Sequence, residues 1–229
     1  MASAPSLTEL LPDGVFLGTS LVLRKAGGPP DGVSYLLYGV RAPQGEGPRQ
    51  VLEVTGIGGA LEDSDTSPAA GVLREALEET GCAVALLRCR ETLVVRSGCD
   101  VTRVELSGVE RPAAVVFRHH GTRPRQPWSD KHRGRLCVMV FAAELCAEPR
   151  PAMELPALIW LTAEQVVALA HQDMVLQDLL DSGAELVEGA PQLPRDALLR
   201  LVDSQEALVL ALRDNALPFY NGLFRGILA

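Results

Sequence analysis

TGIGGALEDSDTSPAAGVLREALEETGC, Thr55 to Cys82, decides how the rest of this chain is read. It divides into a glycine turn, an acidic loop and a helix. Ser67 supplies an N-cap hydroxyl and Pro68 a fixed φ suited to the first helical position, while Gly81 supplies the stop. At about 100° per residue, Ala69, Val72, Leu73, Ala76, Leu77 and Thr80 fall on one side of this helix. Glu75, Glu78 and Glu79 fall within about a third of a turn on the other. The expectation is a helix that is apolar inward and anionic outward.

Carboxylates at i, i+3 and i+4 repel one another by about a few tenths of a kcal/mol per pair in water, and more in a cleft. A divalent cation reverses that sign. Hard cations such as Mg²⁺ or Mn²⁺ take oxygen ligands and share them with substrate phosphates, which suits this face to metal-assisted attack on a phosphoanhydride. By itself, E-x-x-E-E on a helix is usually a solvated face. The neighbouring Gly56, Gly58 and Gly59 change the weighing, because they let backbone carbonyls and amides approach a charged ligand closely.

These residues resemble the Nudix box, G-x5-E-x7-R-E-U-x-E-E-x-G-U, where U is a bulky apolar residue. Gly59, Arg74, Glu75, Glu78, Glu79, Gly81 and Cys82 stand in matching places. There are departures. Asp65 occupies the place of the first glutamate, one extra residue separates it from Arg74, and the small Ala76 and Cys82 fill the two U positions. Pro68 keeps the helix in register, so the extra residue belongs to the loop. The resemblance implies an α+β Nudix fold, a mixed β-sheet sandwiched between helices, with additional C-terminal helices. It also implies that Glu75, Glu78 and Glu79 are catalytic metal ligands, that the Gly58 carbonyl is a further ligand, and that Arg74 orients a neighbouring glutamate.

With 229 residues the chain can bury a substantial core, and 47% hydrophobic content excludes disorder. A formal charge of −8 argues against stable nucleic-acid binding, which rests on basic surface. The five cysteines show no C-x-x-C spacing, so neither a disulfide framework nor a zinc site is indicated and a reducing cytoplasm is the expected location. Neither an export signal nor a membrane span is read from the sequence.

Taken in order, Val15 to Lys25, Ser34 to Arg41 and Gln50 to Thr55 read as strands leading into the glycine turn. Beyond the box helix, strands are expected over Ala83 to Arg96, Asp100 to Ser107, Ala113 to His119, Leu136 to Leu145 and Ala157 to Leu161. His119 to Arg135 gathers Arg123, Arg125 and Trp128 in an otherwise acidic chain. There the arginines could clamp phosphates and Trp128 could stack a base, with an ordinary solvated loop as the alternative. Glu148 and Glu154 lie in the region where Nudix proteins often place an additional catalytic carboxylate. Thr162 is the expected N-cap of a following helix, and Trp160 an expected core residue.

The Nudix resemblance ends near Ala170, dividing the chain into residues 1–170, a Nudix domain, and 171–229, a helical extension packed on the same unit. Helices are expected over Gln172 to Asp181 and Pro194 to Asn215. The apolar tail after them is expected to dock on the domain, with a homodimer contact as the rival. The function implied is Mg²⁺- or Mn²⁺-dependent hydrolysis of phosphoanhydride bonds in a small nucleotide, a nucleoside diphosphate linked to X, with ADP-ribose or sugar nucleotides favoured. The alternative is a catalytically weak or inactive Nudix-like nucleotide-binding or sensor module.

Overall fold

Strands buried on both faces set the architecture of this computed structural model, which describes residues 4–11, 15–25, 35–44, 50–96, 100–118, 136–152, 155–189 and 192–214. The first half of the chain runs α1 (Leu7–Leu10), β1 (Phe16–Arg24), β2 (Tyr35–Gln44), β3 (Val51–Thr55), α2 (Pro68–Thr80), β4 (Val84–Leu86), β5 (Thr92–Arg96), β6 (Asp100–Val104) and β7 (Ala114–Arg118). The second half runs β8 (Leu136–Leu145), β9 (Ala157–Thr162), α3 (Ala163–His171), β10 (Met174–Val175), α4 (Leu176–Asp181), β11 (Glu185–Glu188), β12 (Leu198–Leu201) and α5 (Asp203–Asp214).

β8 shows how the layers form. Its Val138, Val140 and Ala142 enter one core, together with Val166 and Leu169 of α3 and Leu208 and Leu212 of α5. Its Cys137, Met139, Phe141 and Ala143 enter a second core on the opposite face, with Val72 and Ala76 of α2. A strand buried on both faces reads as a nearly unbroken apolar run, as LCVMVFAAEL does. The sheet is mixed: β1 runs parallel to β8, β7 antiparallel to β8, and β2 antiparallel to β9. The result is the α+β sandwich that the box implied.

Most strands lie where periodicity placed them. The stretch 83–96 divides into β4, which pairs with β8, and β5, which pairs with β6 and β7. The C-terminal region departs further from expectation. Only the end of Gln172 to Asp181 is helical, as α4, and Leu198–Leu201 is a strand rather than the start of a helix. β12 adds parallel to β3, with the Leu198 N–H donating to the Gln50 carbonyl at 2.9 Å and Val202 N–H to Val54 at 3.0 Å. The open backbone groups of β3 outweigh the helical spacing of the leucines, and Leu199 and Leu201 are buried on a two-residue period.

One irregularity positions the box. Among the described residues, β2 pairs with β1 at Leu36 and Leu37 and with β3 from Gly39 to Gln44, so β1 and β3 share one edge of β2 and diverge. The turn after β3 then crosses to β1, bridging Ile57 to Leu21 and Ala60 to Gly18.

Candidate active site

α2 begins and ends by local chemistry. Ser67 Oγ accepts the Ala70 N–H at 3.2 Å, Pro68 is the first helical residue, and Gly81 closes the helix at φ 65° with its N–H on the Leu77 carbonyl at 3.0 Å. A cap of the Ser67 kind contributes about 1 kcal/mol. Two later amides, Arg150 and Ala152, donate to the carbonyls of Thr80 at 2.8 Å and Glu79 at 3.1 Å, which ties the segment after β8 to the end of the helix.

The buried face is rotated from the one the sequence suggests. Gly71, Val72, Ala76, Glu79 and Thr80 are buried, whereas Leu73 and Leu77 are 39% and 57% exposed. Glu79 is therefore an inward residue of the helix. Its Oε2 accepts the Gly58 N–H at 2.8 Å, a charge-assisted bond that compensates the desolvated carboxylate.

The glycines are required by what they touch. Thr19 and Leu21 donate to the carbonyls of Gly59 at 2.8 Å and Ile57 at 2.7 Å, so alternation turns the Gly58 N–H away from β1 and toward α2. Gly58 has φ 146°, and a Cβ there would stand 2.3 Å from the Thr19 carbonyl oxygen. At Gly59 a Cβ would stand 2.4 Å from Glu75 Oε1. The bare backbone lets two box glutamates press against the turn.

Arg74 is the hub. Its Nε donates to Asp65 Oδ1 at 3.2 Å and its Nη2 to Asp65 Oδ2 at 3.1 Å and to the Ala60 carbonyl at 3.2 Å. Its Nη1 donates to Glu75 Oε1 and Glu78 Oε2, both at 3.0 Å. All five guanidinium donors are thus committed. The two bonds from Arg74, with a further one from the Glu62 N–H, hold the Asp65 carboxyl below the usual aspartate value. The same contacts, Asp65 foremost, push the Arg74 guanidinium up. Burial raises the Glu75 carboxyl above the ordinary range despite the opposing pull of Arg74. The sequence left Asp65 ambiguous, since the extra loop residue offset it from the box; in the fold it meets Arg74 through both oxygens.

Glu148 is exposed and lines a cavity of about 310 Å³ with Lys25, Cys146 and Trp160. Trp160 is a core residue, as expected, with the Lys25 ammonium 5.8 Å from its ring centroid. Thr162 caps α3 in a reciprocal pair with Gln165. Arg123, Arg125, Trp128 and Glu154 lie outside the described residues. Cys82, Cys89, Cys137 and Cys146 are free thiols, and burial pushes Cys89 and Cys137 up to about 12, which makes them poor nucleophiles. No helix among the described residues is long and apolar enough to cross a membrane.

Among the described residues, no group of three His, Cys, Asp or Glu side chains is arranged as it stands to hold a metal ion. The donor chemistry still fits a hard cation. Three carboxylates share a short stretch of α2, and the positive charge now lying against Glu75 and Glu78 is the Arg74 guanidinium.

No family model and no curated protein matches the chain. Among solved structures it is similar to a NUDIX hydrolase from Nitrosomonas europaea, at 12% identity, over 67% of this chain and 76% of that one, with a TM-score of 0.40. It is also similar to a possible asymmetric diadenosine tetraphosphate hydrolase from Jonesia denitrificans, at 13% identity, over 90% and 97% of the two chains, with a TM-score of 0.49. An Ap4A hydrolase from C. elegans matches at 13% identity, over 69% and 88%, with a TM-score of 0.41. Overlaps of this extent decide nothing about chemistry, which rests on the residues themselves.

Proposed function

We propose that this protein is a Nudix-type pyrophosphohydrolase that cleaves the phosphoanhydride of a nucleoside diphosphate linked to X, with ADP-ribose or sugar nucleotides as the favoured class. The observation that carries this is the packing of Glu75 and Glu79 against the Gly58–Gly59 backbone, with Glu78 joined to them through Arg74. Holding like charges together costs stability in the resting protein, which a purely structural helix has no use for.

In this reading Glu75, Glu78, Glu79 and the Gly58 carbonyl would hold Mg²⁺ or Mn²⁺, which when bound would offset the charge of the diphosphate and make water a better nucleophile toward phosphorus. Asp65 fixes the guanidinium plane of Arg74, and Arg74 in turn fixes the carboxylates of Glu75 and Glu78. The buried Glu79 is held by the Gly58 amide. Recognition of X is assigned to Arg123, Arg125 and Trp128, with Glu148 or Glu154 as an additional carboxylate.

The test is a panel of ADP-ribose, sugar nucleotides, dinucleoside polyphosphates, coenzymes and nucleoside triphosphates, assayed with Mg²⁺ and with Mn²⁺. Cation-dependent release of a nucleoside monophosphate is expected, falling by at least about 100-fold in Glu78→Gln and in Glu79→Gln. Near wild-type rates in both variants would remove the metal assignment. Nucleotide binding without turnover would instead mark a binding module.

A further inference from the structure

α5 sends the Gln205 side chain into the sheet from the face opposite α2. Gln205 is fully buried, and its Nε2 donates to Ser20 Oγ at 3.0 Å and to the Leu21 carbonyl at 3.3 Å. A backbone carbonyl only accepts, so the amide nitrogen must face β1. The amide oxygen is left buried and without a hydrogen-bond partner.

Gly56 makes room for this side chain. A Cβ on Gly56 would stand 2.6 Å from Gln205 Nε2 and 2.2 Å from Ser20 Oγ. Two residues further on, Gly58 gives its N–H to Glu79. The start of α5 is itself fixed, because Asp203 adopts φ 63° with its carboxylate 3.6 Å from the Arg41 guanidinium, just after the Val202 N–H bonds to Val54. An apolar side chain of similar length would fill the space without stranding an acceptor. What only the amide supplies is a pair of directed bonds to consecutive residues of β1, the strand on which the glycine turn rests.

We propose that Gln205 is a positioning residue that holds the glycine turn against β1 from behind and so sets the hydrogen bond from Gly58 to Glu79. The inference rests on the hydrolase reading only for what the turn accomplishes; the coupling of Gln205 to the turn stands on the contacts alone.

The experiment compares Gln205→Met and Ser20→Ala with Gln165→Met, a variant at a second buried amide that binds Ser182 and lies away from the turn. Hydrogen exchange of the Gly58 amide is followed by NMR, alongside thermal melting and Mn²⁺ binding to the full chain. Gln205→Met should speed Gly58 exchange by about tenfold and weaken Mn²⁺ binding by about as much, with Ser20→Ala smaller in the same direction. Gln165→Met should change neither. Unaltered Gly58 exchange in both turn variants overturns the proposal, as does equal acceleration in Gln165→Met. If Gln205→Met does not fold, Ser20→Ala decides alone. Faster Gly58 exchange in a protein whose wild type neither binds Mn²⁺ nor hydrolyses nucleotides keeps the positioning role and removes the hydrolase reading.

Discussion

Asp65 grips Arg74 with both carboxylate oxygens, at 3.2 Å from Nε and 3.1 Å from Nη2, across the loop that carries the extra residue of the box. A side chain one methylene shorter than glutamate, on a loop one residue longer, still reaches the guanidinium. Gly71 lies beneath the contact, where a Cβ would stand 2.9 Å from Asp65 Oδ2. Asp65→Ala should therefore lower kcat by roughly 10- to 100-fold by releasing Arg74, with KM changed less. A KM effect alone would show that Arg74 needs no second anchor.

The same pair gives a pH signature. The folded pKa of Asp65 lies below the ordinary aspartate value of 3.8, so its contribution to stability is complete above 3.8 and is lost as pH falls through the lower folded value. Wild type should melt higher than Asp65→Asn at neutral pH, and the gap should close at strongly acid pH. A gap that stays constant on acidification would show the pair to be without linkage.

Glu75 carries the opposite sign. Its folded pKa is raised above 4.5, so the stability it contributes is present below 4.5 and lost as pH rises through the folded value. In cation-free buffer at neutral pH, Glu75→Gln should melt no lower than wild type. Millimolar Mn²⁺ should then raise the melting temperature of wild type more than that of Glu75→Gln. Equal shifts would place the cation elsewhere.

The two turn glycines should fail in different ways. Gly59→Ala meets the Glu75 carboxylate, the end of a side chain rather than backbone, so it should cost turnover, by about 100-fold, more than it costs stability. Gly58→Ala meets the Thr19 backbone at positive φ and should cost about 2 kcal/mol or more of folding free energy. Chemical denaturation of both, together with the hydrolysis assay, separates the two outcomes.

The rotation of α2 is checked by two apolar truncations. Leu77→Ala, at a 57% exposed position, should lie within about 0.5 kcal/mol of wild type. Val72→Ala, at a fully buried position, should cost about 2 kcal/mol. The reverse order would restore the leucine face that helical spacing suggests.

Signals that act over a few residues were legible in the sequence. Ser67 and Pro68 start α2 and Gly81 stops it, because capping and φ preferences depend only on adjacent atoms. The nearly unbroken apolar run of β8 likewise marks a strand buried on both faces. Tertiary structure decided what depends on the surface opposite. Glu79 faces inward because Gly58 offers it an amide, while Leu73 and Leu77, apolar in the same helix, remain exposed. Leu198–Leu201 is extended because the edge of β3 has backbone groups to satisfy, although its leucines suit a helix equally well. Gln205 reaches Ser20 across 185 positions of sequence, and no local preference encodes a contact made only when α5, β1 and the glycine turn are brought together.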